Sequence, residues 1–200
     1  MDQPIAPPRR PLVVGIGGTT LPGSSTERAV AMALRAAAEH GVETRLFGGA
    51  ELAALPLYTP RLATRSPAER ELVAAVRAAS GLVVASPGYH GSVSGLVKNA
   101  IDLLEETARD DRPYLTDLPV GLIATAYGWQ ATGSTIAALR SIVHALRGWP
   151  TPFAAAINTS QCTLEEDGGC SDPAVAGQLA TVGRQVALAA VRDAAALIGG

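Results

Sequence analysis

Aromatic side chains make up only 4% of the 200 residues. A core this poor in Phe, Tyr and Trp has to be built from Ala, Val, Leu and Ile. Lysine is scarcer still, since Lys98 is the single one in the chain. The 16 basic and 18 acidic residues leave a formal net charge of -2. That balance lacks the basic excess of a nucleic-acid-binding surface, so no nucleic-acid partner is expected. The two cysteines, Cys162 and Cys170, form no C-x-x-C, and no histidine joins them at zinc spacing. No metal site is expected, and two free thiols are the expected state, with a local disulfide as the alternative. No run reaches the roughly 18 to 20 consecutive apolar residues of a membrane span. Met1–Pro11 is polar and Pro-rich, without the apolar stretch of a signal peptide. These absences predict a cytoplasmic protein with no membrane partner.

What is present is globular, at 48% hydrophobic and 17% charged. A chain of this length buries roughly 70% of the surface that its unfolded form exposes, without disulfide or metal staples. We expect a disordered lead-in over residues 1–11 and a single domain over 12–200.

Short apolar runs alternate with helical patterns. Strands are predicted at 12–16, 42–47, 82–86, 120–127 and 153–157, and helices at 26–40, 66–80, 93–107, 131–146 and 172–197. Ser66-Pro67 is an N-cap followed by an N1 proline, and Gly41 stands where a helix stops. Strictly alternating strands and helices predict an α/β fold. Its parallel sheet would have five strands in the order 2-1-3-4-5, between two layers of helices. Ligands of such sheets bind beyond the carboxyl ends of the strands, where the strand order reverses. That selects the loops over residues 17–26, 87–91 and 127–133.

The first loop, Gly17-Gly18-Thr19-Thr20-Leu21-Pro22-Gly23-Ser24-Ser25-Thr26, runs into a helix N-terminus. Its amides and the hydroxyls of Thr19, Ser24, Ser25 and Thr26 suit a phosphate. It is neither a Walker A loop nor G-x-G-x-x-G. Without a lysine it suits one terminal phosphate, such as that of a flavin mononucleotide. In the second loop, Gly88 and Gly91 let backbone approach a flat ring, and Tyr89 supplies an apolar wall. His90 is a candidate donor near the ring, or simply an exposed loop histidine. In the third, Tyr127, Gly128 and Trp129 face the same region. Lys98, in the first turns of the next helix, is expected to pair with Asp102 four residues on or with a loop carboxylate.

The run from Leu82 through Ser86-Pro87-Gly88-Tyr89-His90-Gly91-Ser92 to Ser94-Gly95-Leu96-Val97-Lys98-Asn99-Ala100-Ile101-Asp102 resembles the NADPH-dependent FMN reductase family, within the flavodoxin-like superfamily. The family's usual form is a buried strand, Thr/Ser-Pro-x-Tyr-x-x-Ser, then Gly-x-x-Lys-Asn-x-x-Asp. The resemblance implies bound FMN, oxidation of NADPH or NADH, and a homodimer or homotetramer. It implies that Thr19, Ser24 and Thr26, with Ser25 beside them, hold the phosphate. Pro87, Gly88, Tyr89 and His90 would contact the ring, with Tyr127–Gly133 covering its other side. Hydride chemistry would lie on the flavin, with no side chain required as catalyst. Electrons would pass on to a flavin, a quinone or another small acceptor.

Two positions depart from the family pattern. Leu21 stands where the first loop commonly carries arginine, and Trp129 occupies a usually glycine-rich loop. A specialised flavoprotein with a different reaction is one alternative. A flavodoxin-like electron carrier is another, although such carriers are strongly acidic. Arg61, Arg65, Arg109 and Arg112 lie in loops from which they could reach a nucleotide 2′-phosphate.

Overall fold

The computed structural model describes residues 10–198. The first nine residues of the expected lead-in lie outside that range. At its start, Pro11 O accepts a hydrogen bond from Glu43 N at 2.8 Å.

Five parallel strands form the sheet: β1 (Leu12–Ile16), β2 (Glu43–Phe47), β3 (Gly81–Tyr89), β5 (Pro119–Ala126) and β6 (Trp149–Asn158). A short sixth strand, β4 (Ser92–Val93), pairs antiparallel with the end of β3. The order is β2-β1-β3-β5-β6. Among the parallel strands alone this is the expected 2-1-3-4-5.

The helices are α1 (Ser25–Ala38), α2 (Gly49–Ala53), α3 (Pro67–Ala78), α4 (Gly95–Asp102), α5 (Trp129–Ala145) and α6 (Pro173–Ile198). Capping explains several of the boundaries. Ser66 Oγ accepts from Glu69 N, and Glu69 Oε2 accepts from Ser66 N at 2.6 Å, which closes a capping box around Pro67. Ser24 and Ser94 cap α1 and α4 through their hydroxyls.

Side chains alternate across the buried strands, as the pleat dictates. Val14, Ile16, Leu82, Val84, Val120 and Leu122 enter one core with α3, α4 and α5. Val13, Val83, Ala85 and Ile123 enter the other with α1 and α6. The aromatic-poor core is therefore two thin aliphatic layers.

Several expectations are corrected. The stretch 48–64, over which no helix or strand is expected, holds α2. The helix expected over 93–107 is α4 followed by a 3-10 turn, Leu103–Thr107. The fifth parallel strand begins at Trp149 and not at Phe153, since Trp149 and Pro150 already pair with β5. By length and composition α6 is apolar enough to cross a membrane over Pro173–Ala196, with a mean hydropathy of 1.2. Scattered polar residues such as Gln178 and Arg184 conceal this from a search for unbroken runs. In the fold, 39% of that window is buried, packed against α1 and the sheet.

Candidate functional site

The carboxyl ends of β1, β3 and β5 bring the three expected loops to one edge of the sheet. The first loop is held tightly from beneath. Glu27, in the first turn of α1, accepts a hydrogen bond from Gly49 N at 2.8 Å. A Cβ at Gly49 would lie 1.9 Å from Thr19 O. Only glycine lets α2 begin against this loop, so backbone presses on backbone and fixes the loop's path.

Within the loop, Thr19 Oγ1 accepts from Leu21 N at 3.1 Å and shapes a local turn. Ser24 Oγ accepts from Glu27 N as the α1 cap. Ser25 is partly exposed, at the first helical position. Thr26 is buried, and its Oγ1 lies 2.6 Å from Thr125 Oγ1 at the end of β5. Its hydroxyl is thus committed inside the protein, and Thr26 has its backbone N–H to offer a phosphate. The first N–H groups of a helix have no intrahelical acceptor. Together with the dipole they make this edge an anion cradle.

A cation stands under the cradle that sequence reasoning missed. A Cβ added at Gly23 would lie 3.2 Å from Arg28 Nη2 and 3.6 Å from Nε. Arg28 Nη1 donates to Leu164 O at 2.6 Å, while Nε is buried with no partner. Among the described residues no carboxylate pairs with it. An unpaired, partly buried guanidinium is costly unless an anion meets it. The signal was available four residues beyond Ser24, where a side chain leaning toward the helix N-terminus reaches back to the loop.

The second loop is a hairpin and not a simple turn. Gly88 pairs with Val93, and Tyr89 with Ser92. His90 and Gly91 form its tip, with φ of 51° and 86°. Two central residues with positive φ make a type I′ turn, which explains Gly91. His90 is therefore an exposed tip residue. Pro87 is buried within β3, in register with Thr125. The hairpin's base is fixed by Ser86, which is fully buried. Ser86 Oγ accepts from Ser94 N at 2.9 Å and donates to Pro87 O at 2.9 Å. The serines of the family-like run thus hold the backbone in place.

Lys98 pairs with Asp102 at 2.6 Å, as the spacing predicts. Its neighbour Asn99 accepts from Tyr58 N at 2.8 Å and donates to Pro56 O at 3.0 Å. It clamps the segment after α2 beside the site. In the third loop, α5 begins at Trp129, so Trp129–Gly133 is helical. Tyr127 is 84% exposed, Trp129 55% and Tyr89 53%. Three of the chain's few aromatic side chains therefore stand on the rim, uncovered.

Two of the four arginines considered for a 2′-phosphate, Arg65 and Arg112, are otherwise engaged. Arg65 is buried and bonds Glu69 at 3.0 Å and Glu106 at 2.8 Å. Arg112 donates to the carbonyls of Val76, Arg77 and Ala79 at the end of α3. It lies, with Arg109, in the segment leading into β5, at the opposite edge of the sheet.

Comparison with known proteins agrees with this architecture. The family model described as NADPH-dependent FMN reductase matches residues 11–161. An FMN-dependent NADPH-azoreductase of Staphylococcus aureus is 32% identical over 136 residues, covering 64% of this chain and 67% of that protein. Among solved structures, the flavoenzyme NAD(P)H:(acceptor) oxidoreductase FerB of Paracoccus denitrificans superposes with a TM-score of 0.70 at 20% identity, over 92% of this chain and 98% of that one. An oxidoreductase of Corynebacterium diphtheriae superposes with a TM-score of 0.69 at 21% identity, over 92% and 99%.

Proposed function

The chain belongs to the NADPH-dependent FMN reductase family and is an FMN-dependent NAD(P)H oxidoreductase, and from that premise we propose how its own residues serve the reaction. The observation that carries the proposal is Arg28, a guanidinium without a counter-ion beneath a loop of free helix-terminal amides. One phosphate satisfies both. The amides of residues 23–26, the hydroxyls of Thr19, Ser24 and Ser25, and the Arg28 guanidinium hold the FMN phosphate. Arg28 thereby takes over the positive charge that Leu21 does not supply.

The backbone of Pro87–Gly91, fixed by Ser86 and Ser94, meets the polar edge of the ring. Tyr89, Tyr127, Gly128 and Trp129 wall the space above it. FMN, when bound there, would supply the hydride chemistry between reduced nicotinamide and the acceptor. The protein's part is to position, shield and neutralise charge. No side chain is needed as general acid or base, and His90 serves as the hairpin tip.

The acceptor we propose is a small planar conjugated molecule: a flavin, a quinone or an azo compound. The exposed aromatic rim supports this, because flat rings stack on such side chains. The same rim supports a homodimer or homotetramer in which a second subunit covers Tyr127 and Trp129. A cytoplasmic setting fits the requirement for reduced nicotinamide. The test is anaerobic mixing of the FMN-loaded protein with NADPH, followed by a quinone. Loss of the flavin band at a catalytic rate, then its return, is the expected result. A yellow protein that neither NADPH nor NADH bleaches contradicts the proposal.

A further inference from the structure

The matched family region ends at residue 161, and the segment just beyond it carries both cysteines. Between β6 and α6 the chain folds back on itself. Ser171 N donates to Thr163 O at 3.0 Å, Glu165 N donates to Gly169 O at 2.9 Å, and Leu164 bridges antiparallel to Cys170. This small hairpin sets Cys162 Sγ 3.4 Å from Cys170 Sγ. Cys162 is buried, and Cys170 is partly exposed.

We propose that Cys162 and Cys170 are a reversible dithiol–disulfide site. A disulfide needs its sulfurs about 2.0 Å apart, and the thiols already touch across a hairpin whose tip, Glu165–Asp167, is exposed. The oxidant is a low-molecular-weight disulfide. The thiolate of Cys170, the more accessible of the two, attacks one of its sulfurs, forming a mixed disulfide and releasing one thiolate. Cys162 then attacks the Cys170 sulfur and expels the second. Two electrons pass from the cysteines to the oxidant, and their two protons go to the released thiolates. Burial, with the neighbouring Cys170, pushes the Cys162 thiol pKa up. That leaves the first attack to Cys170.

The site is wired to the first loop. Leu164, inside the hairpin, supplies the carbonyl that accepts from Arg28 at 2.6 Å. Arg35 Nη1 donates to Asp167 O at 3.0 Å, further along the same hairpin. Closing the disulfide shifts Leu164 O and with it Arg28, so that oxidation changes FMN affinity. This link rests on the reading that Arg28 meets the phosphate; disulfide formation itself does not.

The test is incubation of the protein with oxidised glutathione or with dithiothreitol, then alkylation, digestion and mass spectrometry. Both cysteines fall in the tryptic peptide 148–184. The oxidised sample is expected to show that peptide unalkylated and lighter by two hydrogens, reversibly. Cys162→Ser is expected to trap a glutathione adduct on Cys170. Full alkylation at both positions after oxidation, or separate glutathione adducts on each, overturns the site. FMN titration of oxidised and reduced protein is expected to differ several-fold, with no difference in the Cys162→Ser/Cys170→Ser double variant. Equal affinities in protein shown to carry the disulfide overturn the link to the loop. Arg28→Ala is expected still to form the disulfide, so failure of the phosphate reading is distinguishable from failure of the dithiol site.

Discussion

Thr26 Oγ1 and Thr125 Oγ1 meet at 2.6 Å inside the protein. This contact joins the first turn of α1 to the end of β5, and so locks two of the site's three loops together. Thr125→Val leaves the Thr26 hydroxyl buried without its partner. The expected loss is about 1–3 kcal/mol, the cost of an unsatisfied buried polar group. The double variant Thr26→Val/Thr125→Val is expected to recover part of it, because both polar partners go. Thermal unfolding of the four proteins measures the coupling. Thr26→Val is also expected to keep FMN affinity within about fivefold, since a neutral hydrogen bond is worth only about 1 kcal/mol and Thr26 offers its backbone N–H.

Ser86 controls the second loop from a fully buried position. Ser86→Ala removes the acceptor of Ser94 N and frees the start of the hairpin. The expected outcome is a stability loss of about 1–3 kcal/mol together with weaker FMN binding. His90→Ala, at the exposed tip, is expected to leave stability unchanged. Calorimetric titration with FMN separates the two variants.

The pH dependence of stability is expected to concentrate on Glu69. Burial alone raises its pKa, but hydrogen bonds from the Ser66 backbone and hydroxyl, and the Arg65 guanidinium, bring it below the ordinary 4.5. A depressed carboxylate pKa contributes stability above its unfolded value, lost as pH falls through its folded value. The melting temperature is therefore expected to drop below about pH 4.5. Glu69→Gln is expected to flatten that drop and to cost about 3 kcal/mol at neutral pH, since it leaves buried Arg65 with Glu106 as its one carboxylate. A melting-temperature series against pH, run on both proteins, decides this.

Much of this arrangement was legible in residue order. The five parallel strands, the capping box at Ser66–Glu69 and the Lys98–Asp102 pair all follow from local rules, and local rules need only neighbouring residues. The three site loops followed from topology. What escaped the sequence depends on contacts between distant segments. Thr26 reads as a phosphate ligand until Thr125, 99 residues on, takes its hydroxyl. Pro87 reads as a turn residue, yet it continues β3 because β5 pairs beside it. Arg28 reads as an ordinary helical arginine until Gly23 and Leu164 show where its guanidinium lies. The scarce aromatic residues were more informative than their number implied, because three of them stand exposed on one rim.

A phosphate held by the first loop and Arg28 is tested most directly by titration of the apoprotein with FMN and with riboflavin, which lacks the phosphate, in wild type and Arg28→Ala. A charge-assisted hydrogen bond is worth about 1.5–3 kcal/mol, so Arg28→Ala is expected to weaken FMN binding roughly tenfold to a hundredfold. Riboflavin affinity is expected to stay the same in both proteins. Equal FMN affinity in wild type and Arg28→Ala, or an equal loss for both ligands, would contradict the account.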